Sequence, residues 1–122
     1  MTSAARRLVT SIAALAACGG ALAAAPEAGR HAAELCVATL PKPPSCGPAQ
    51  VDVRSDGTMR VRVDDVVYKL QLRSSQVEVV VMHNVVQIDE FTAPFEWAGG
   101  ALSFNDDGRR SRYELRFAAR HR

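Results

Sequence analysis

From Val51 onward the chain alternates apolar and polar residues with a period of two. It interrupts that alternation with turn residues about every eight to twelve positions, the spacing of short antiparallel strands. A period of two sends successive side chains to opposite faces, so each run can bury one face and wet the other. Val51 and Val53 oppose Asp52 and Arg54, and Ser55-Asp56-Gly57-Thr58 supplies a hairpin turn. Met59, Val61 and Val63 return against Arg60 and Arg62, and Asp64-Asp65 turns the chain again. Val66, Tyr68, Leu70 and Leu72 then share a face opposite Val67, Lys69, Gln71 and Arg73. Phe95 with Trp97, Leu102 with Phe104, and Tyr113 with Leu115 and Phe117 form three further same-face sets, separated by Ala98-Gly99-Gly100 and Asn105-Asp106-Asp107-Gly108. The pattern predicts an all-β fold over residues 50–118, a small antiparallel up-and-down meander forming a curled sheet or a small barrel.

Residues 76–90 fit two templates. Ser75 with Glu78 makes a helix capping box, and apolar residues at 77, 81, 85 and 88 can line one helical face. Four β-branched valines at 77 and 79–81 favour a strand instead, because such side chains lose rotamer freedom in a helix. Val80 and Met82 make that strand apolar on both faces, which predicts a central position. His83-Asn84 is the expected turn after it, with Val86 and Ile88 then alternating against Gln87 and Asp89.

The N-terminal part has another character. Arg6 and Arg7 precede a run from Leu8 to Ala25 without a charged residue. A basic start, a short apolar run and small residues at its end read as an export signal over residues 1–23. Two processing sites compete within it. Ala21-Leu22-Ala23 fits ordinary cleavage after Ala23, whereas Leu15-Ala16-Ala17-Cys18 resembles a bacterial lipobox, which would make Cys18 a lipidation site. The expected location is the periplasm, with a lipid anchor in the outer membrane if Cys18 is used. Setting Cys18 aside leaves Cys36 and Cys46, an even pair that an exported chain is expected to join as a disulfide. Residues 24–49 therefore read as a tether and disulfide-pinned arm, with a short helix over Pro26–Leu35 as one option.

Charge narrows the classes of partner. Removing Arg6 and Arg7 from fifteen basic residues leaves thirteen, equal to the thirteen acidic ones. A neutral domain exerts no overall attraction for nucleic acid, which is not an expected partner. The excess is local: Arg112 and Arg116 lie on the polar face of the last strand and Arg120 trails into a basic end at residues 119–122. These arginines are candidates for an anionic envelope component or an acidic protein patch, since guanidinium offers paired hydrogen bonds. Trp97 beside Gly99-Gly100 is a further candidate contact, or a core aromatic next to a tight turn.

The chemistry of catalysis has little support. His83 is the one histidine inside the predicted domain, and Ser74, Ser75 and Ser103 stand in no nucleophile motif. Turn chemistry accounts for Asp64-Asp65, Asp89-Glu90 and Asp106-Asp107. No catalytic residue, metal ligand or cofactor is expected, and membrane contact is expected through lipidation only. The reading is a small exported non-enzymatic β-domain with a binding or structural role, or alternatively a carrier of a small apolar ligand. Phe95-Glu96-Trp97-Ala98-Gly99 resembles the Trp-x-Lys-Gly strand end of small β-barrel lysozyme inhibitors. Ala98 stands where those proteins have lysine, and Ser74-Ser75-Gln76-Val77 lacks their Ser-Gly and downstream Tyr, so the resemblance implies a similar fold and carries over no inhibitory residue.

Overall fold

The computed structural model describes residues 25–118. The expected export signal with Cys18, and the basic end with Arg120, lie outside the described residues. Eight antiparallel strands follow one another around a closed barrel: β1 (Gly29–Thr39), β2 (Ser45–Val53), β3 (Thr58–Val63), β4 (Val66–Leu72), β5 (Gln76–His83), β6 (Val86–Ala98), β7 (Ala101–Asp106) and β8 (Ser111–Phe117). The meander expected from the alternation is present, and of its two forms the barrel is the one adopted. A 3₁₀ turn, Asp107–Arg109, joins β7 to β8, and residues 76–90 are strand rather than helix.

Within residues 24–49, expected to be an arm, β1 and the first part of β2 correct that expectation. The two strands are full staves, and no helix occurs over Pro26–Leu35. Ala32-Ala33 favours helix locally, but β1 pairs with β2 on one side and with β8 on the other, and that two-sided pairing overrides propensity. Ala33, Leu35 and Val37 face the core in the same period of two seen downstream. Cys36 lies directly opposite Cys46, with Cα atoms 4.0 Å apart, and the two form the expected disulfide across the hairpin. Pro48 is tolerated because β3 joins β2 only from Gln50 onward, leaving Pro48 paired on one side.

The interior is packed with side chains. Met59, Leu70, Leu102, Leu115, Val51, Val61, Val77 and Val79 are the largest wholly buried ones. Phe104 stacks on Tyr113 at 5.2 Å, and Phe91 lies beside both. Eight strands enclose little more than such side chains can fill. Outward positions carry Glu34, Asp52, Arg60, Arg62, Lys69, Glu78 and Arg116, all exposed. An apolar inside and a charged outside reverse the plan of a membrane-spanning barrel, whose lipid-facing band is apolar.

Closure also explains β5. Val80 and Met82 are half-buried on the outer face, flanked by β4 and β6 along their whole length, so neither becomes part of an exposed edge.

Candidate functional site

The meander brings four connections to one end of the barrel: 40–44, 64–65, 84–85 and 107–110. They are tied into a continuous rim. His83 Nε2 meets Asp65 Oδ2 at 3.1 Å, and the Asn84 amide donates to the Asp65 carbonyl at 3.1 Å. Arg109 Nε lies 3.1 Å from Asp89 Oδ2, and its terminal nitrogen donates to the Ile88 carbonyl at 3.5 Å. The Leu40 amide donates to the Arg110 carbonyl at 3.1 Å, which links the β1–β2 connection to the same arc.

One irregularity decides what faces in and out along this rim. The register of β5 against β6 shifts between Val81 and Met82: Val81 pairs with Asp89, Met82 with Gln87, and Ile88 is left over. Such a bulge reverses the facing of every residue on one side of it. Strict alternation put Ile88 and Val86 inside and Asp89 outside. Instead Ile88 and Val86 are exposed, and Asp89 turns inward in line with Phe91 and Ala93. Neither Asp89-Glu90 nor His83 is a turn residue: the first two lie within β6 and His83 ends β5.

Among the described residues the exposed large aliphatic side chains are Leu40, Val85, Val86 and Ile88, and all of them belong to this rim. Val85, at the tip of the β5–β6 hairpin, is 89% exposed. Beside Leu40, outside β1, β7 and β8, opens a cleft of about 440 Å³ lined by Ala38, Leu40, Asn105, Asp107, Arg110, Ser111 and Arg112. Arg112, a candidate from the sequence, is thereby placed next to Leu40, with a 3.5 Å hydrogen bond to Asn105.

Beneath the rim lies a buried acid pair that the sequence reading missed. Asp106 ends β7 with 5% of its surface exposed, pointing into the barrel end beside Asp89. Burial raises its pKa above the ordinary carboxyl range, and a hydrogen bond and the negative charge of Asp89 raise it further. The backbone amide of Arg109 donates to the Asp106 carboxyl, and the Arg109 charge offsets part of the rise. One oxygen, Oδ2, has no hydrogen-bond partner. Nearby, Tyr113 is pushed up to about 12 by burial and then by Tyr68, Asp106 and Asp89. Thr39 and Ser111 close the same end with a 2.9 Å hydroxyl contact.

The other sequence candidates are scattered. Arg116 lies 3.3 Å from Glu114 and 4.0 Å from Glu34, so its charge is largely answered on the outer face. Trp97 is half-buried at the opposite end of the barrel, packed on the core with its ring 6.0 Å from Phe117. His83 has a carboxylate in Asp65, but Ser74 and Ser75 sit in the β4–β5 connection at the far end and Ser103 pairs with Glu96 and Glu114 in mid-barrel. Among the described residues one cluster has metal-like spacing, Glu34 with Cys36 and Cys46. Its sulfurs are committed to the disulfide and offer no thiolate. Compared with known protein families, with curated proteins and with solved structures, the chain matches none.

Proposed function

We propose that this chain is an exported, non-enzymatic binding module of a bacterial envelope that docks a partner protein on its hairpin rim. The observation carrying the proposal is the confinement of Leu40, Val85, Val86 and Ile88 to one end of the barrel. Exposed aliphatic groups gathered at one place mark an interaction surface more than scattered ones do. Arg110 and Arg112 border Leu40, and arginine beside an apolar anchor is a favoured interface composition. The apolar run before Ala23 supports export, and Cys18 is the residue that would hold the module to the membrane.

A photoreactive residue placed at Val85 in the native host, with Ser74 as the control position, tests this reading. A discrete protein adduct from position 85, absent from position 74 and lost on Ile88→Asp, is the expected result. No adduct, or the same adducts from both positions, would overturn it.

The filled interior favours a rigid scaffold over a carrier of an apolar ligand. Uptake of a fluorescent fatty-acid probe with quenching at Trp97 would reverse that preference. The fold resemblance to lysozyme inhibitors makes lysozyme one partner to assay directly, and full enzyme activity at high excess of this protein removes it.

A further inference from the structure

A separate surface has no role in that reading. On the outer face of β1–β4 a cleft of about 360 Å³ is lined by Arg30, Gln50, Asp52, Arg60, Arg62 and Val67. The alternation of β3 that buries Met59 and Val61 sends Arg60 and Arg62 outward together. Register adds a third cation, because Lys69 of β4 stands directly opposite Arg60. Like charges at directly opposed positions of an antiparallel pair destabilise the sheet.

Three arginines elsewhere on the barrel are answered by carboxylates. Arg73 meets Glu78 at 2.9 Å, Arg109 meets Asp89 at 3.1 Å and Arg116 meets Glu114 at 3.3 Å. Among the described residues no carboxylate forms an ion pair with Arg60, Arg62 or Lys69. Asp52, the one acid of the cleft, reaches Arg30 at 3.9 Å, with both side chains more than half exposed. Four cations thus face one carboxylate across four adjacent strands.

We infer that this cleft is a binding site for a phosphate-bearing anion, gripped by Arg60 and Arg62 with Lys69 and Arg30 at its margins. Guanidinium groups two residues apart on one strand can each offer a pair of N–H donors to phosphate oxygens. A bound dianion would also relieve the opposition of Arg60 and Lys69, which gives the ligand-bound sheet a stability the free sheet lacks. Val67 provides an apolar floor that no aromatic platform for bases accompanies. The site goes beyond the rim reading and stands on different residues, so failure of either leaves the other standing.

The test is a titration of the exported protein with inorganic phosphate, against chloride at equal ionic strength, read from the arginine side-chain N–H signals by NMR. Saturable shifts confined to Arg60, Arg62 and the residues around them are expected. Arg60→Gln and Arg62→Gln should each weaken binding by about tenfold, the loss of one charge-assisted contact, while Arg73→Gln at the barrel end should not. Arg60→Gln removes the like-charge opposition to Lys69 together with the opposite-charge one to Asp52, so it is expected to fold about as well as the parent. Phosphatidylglycerol vesicles, compared with phosphatidylcholine, form the second arm. Binding to both probes identifies a lipid headgroup as an accessible source, and binding to phosphate alone identifies a soluble phosphate compound. Shifts spread equally over Arg73, wild-type affinity in both glutamine variants, or saturation by neither probe would overturn the site.

Discussion

Asp106→Asn should stabilise the protein at neutral pH. The two oxygens of Asp106 have different surroundings. The carboxyl accepts from the Arg109 amide, while Oδ2 is buried without a partner. An asparagine keeps an acceptor for that amide and can place its NH₂ where Oδ2 stands, giving a permanent donor beside Asp89. An orphaned buried acceptor costs about 1–3 kcal/mol, and a net hydrogen bond contributes about 1 kcal/mol. Some attraction to Arg109, whose side chain is largely exposed, is given up. The expected gain is about 1–2 kcal/mol, a rise in Tm of roughly 4–16 °C for a domain of this length.

The pH dependence tells this cause from others. Because the folded pKa of Asp106 is raised, the acid form is neutral in both states below the ordinary carboxyl range, and the residue then carries no penalty. As pH climbs through that range, the unfolded chain releases the proton first and the folded state loses stability. The loss is complete once pH exceeds the raised folded value. The advantage of Asp106→Asn should therefore be larger near pH 7 than near pH 3, towards which it fades. Calorimetric melts of both proteins across that interval measure it. A variant that is less stable at pH 7, or whose gain is the same at both ends, would refute burial of the Asp106 carboxylate as the cause.

Other outcomes follow from the packing and the bonds. Leu102→Ala, at a wholly buried site, should cost about 2–5 kcal/mol and be read as a lower urea midpoint with m unchanged. Replacing Cys36 and Cys46 together by serine should cost about 2–3 kcal/mol, since the bridge closes a short loop of the unfolded chain. The two tyrosines should resist ionisation: phenolate absorbance near pH 10 should be small until the protein unfolds, with Tyr113 titrating at about 12 and Tyr68 also above the usual value. Stability should fall above pH 10, because the unfolded chain then releases phenolic protons that the folded one retains.

Most of the barrel is legible as a period of two. Met59, Val61 and Val63 point inward and Arg60 and Arg62 outward, as the alternation of β3 dictates, and the turns at 55–58, 64–65 and 99–100 fall where glycine and aspartate predict. Gly99 and Gly100 both take positive φ, 59° and 82°, which explains the doublet. The two N-terminal strands were hidden because Ala32, Ala33 and Ala38 carry little hydrophobic contrast, so the same alternation is faint there. The acid pair was hidden for a different reason. Its members lie seventeen residues apart, and a single left-over residue at Ile88 turns one of them inward. No local pattern marks a bulge of that kind, since Val86-Gln87-Ile88-Asp89 reads equally well in either phase. The opposition of Arg60 and Lys69 needed register, which hairpin turns of two residues fix and composition does not.

The join between β1 and β8 sets a condition on how the molecule comes into being. Ala33 finds its neighbour in Phe117, seven strands later. A chain that emerges from its N-terminus therefore presents β1 with one flank bare until β8 has been made. During that interval the β1–β2 hairpin is a sticky ribbon, open to pairing with any other extended chain. The Cys36–Cys46 bridge sits near the turn end of that ribbon and, once oxidised, fixes its register as soon as residue 46 is available. Its value then lies as much in the waiting period as in the finished barrel, and a reduced chain would be expected to lose yield before it loses melting temperature.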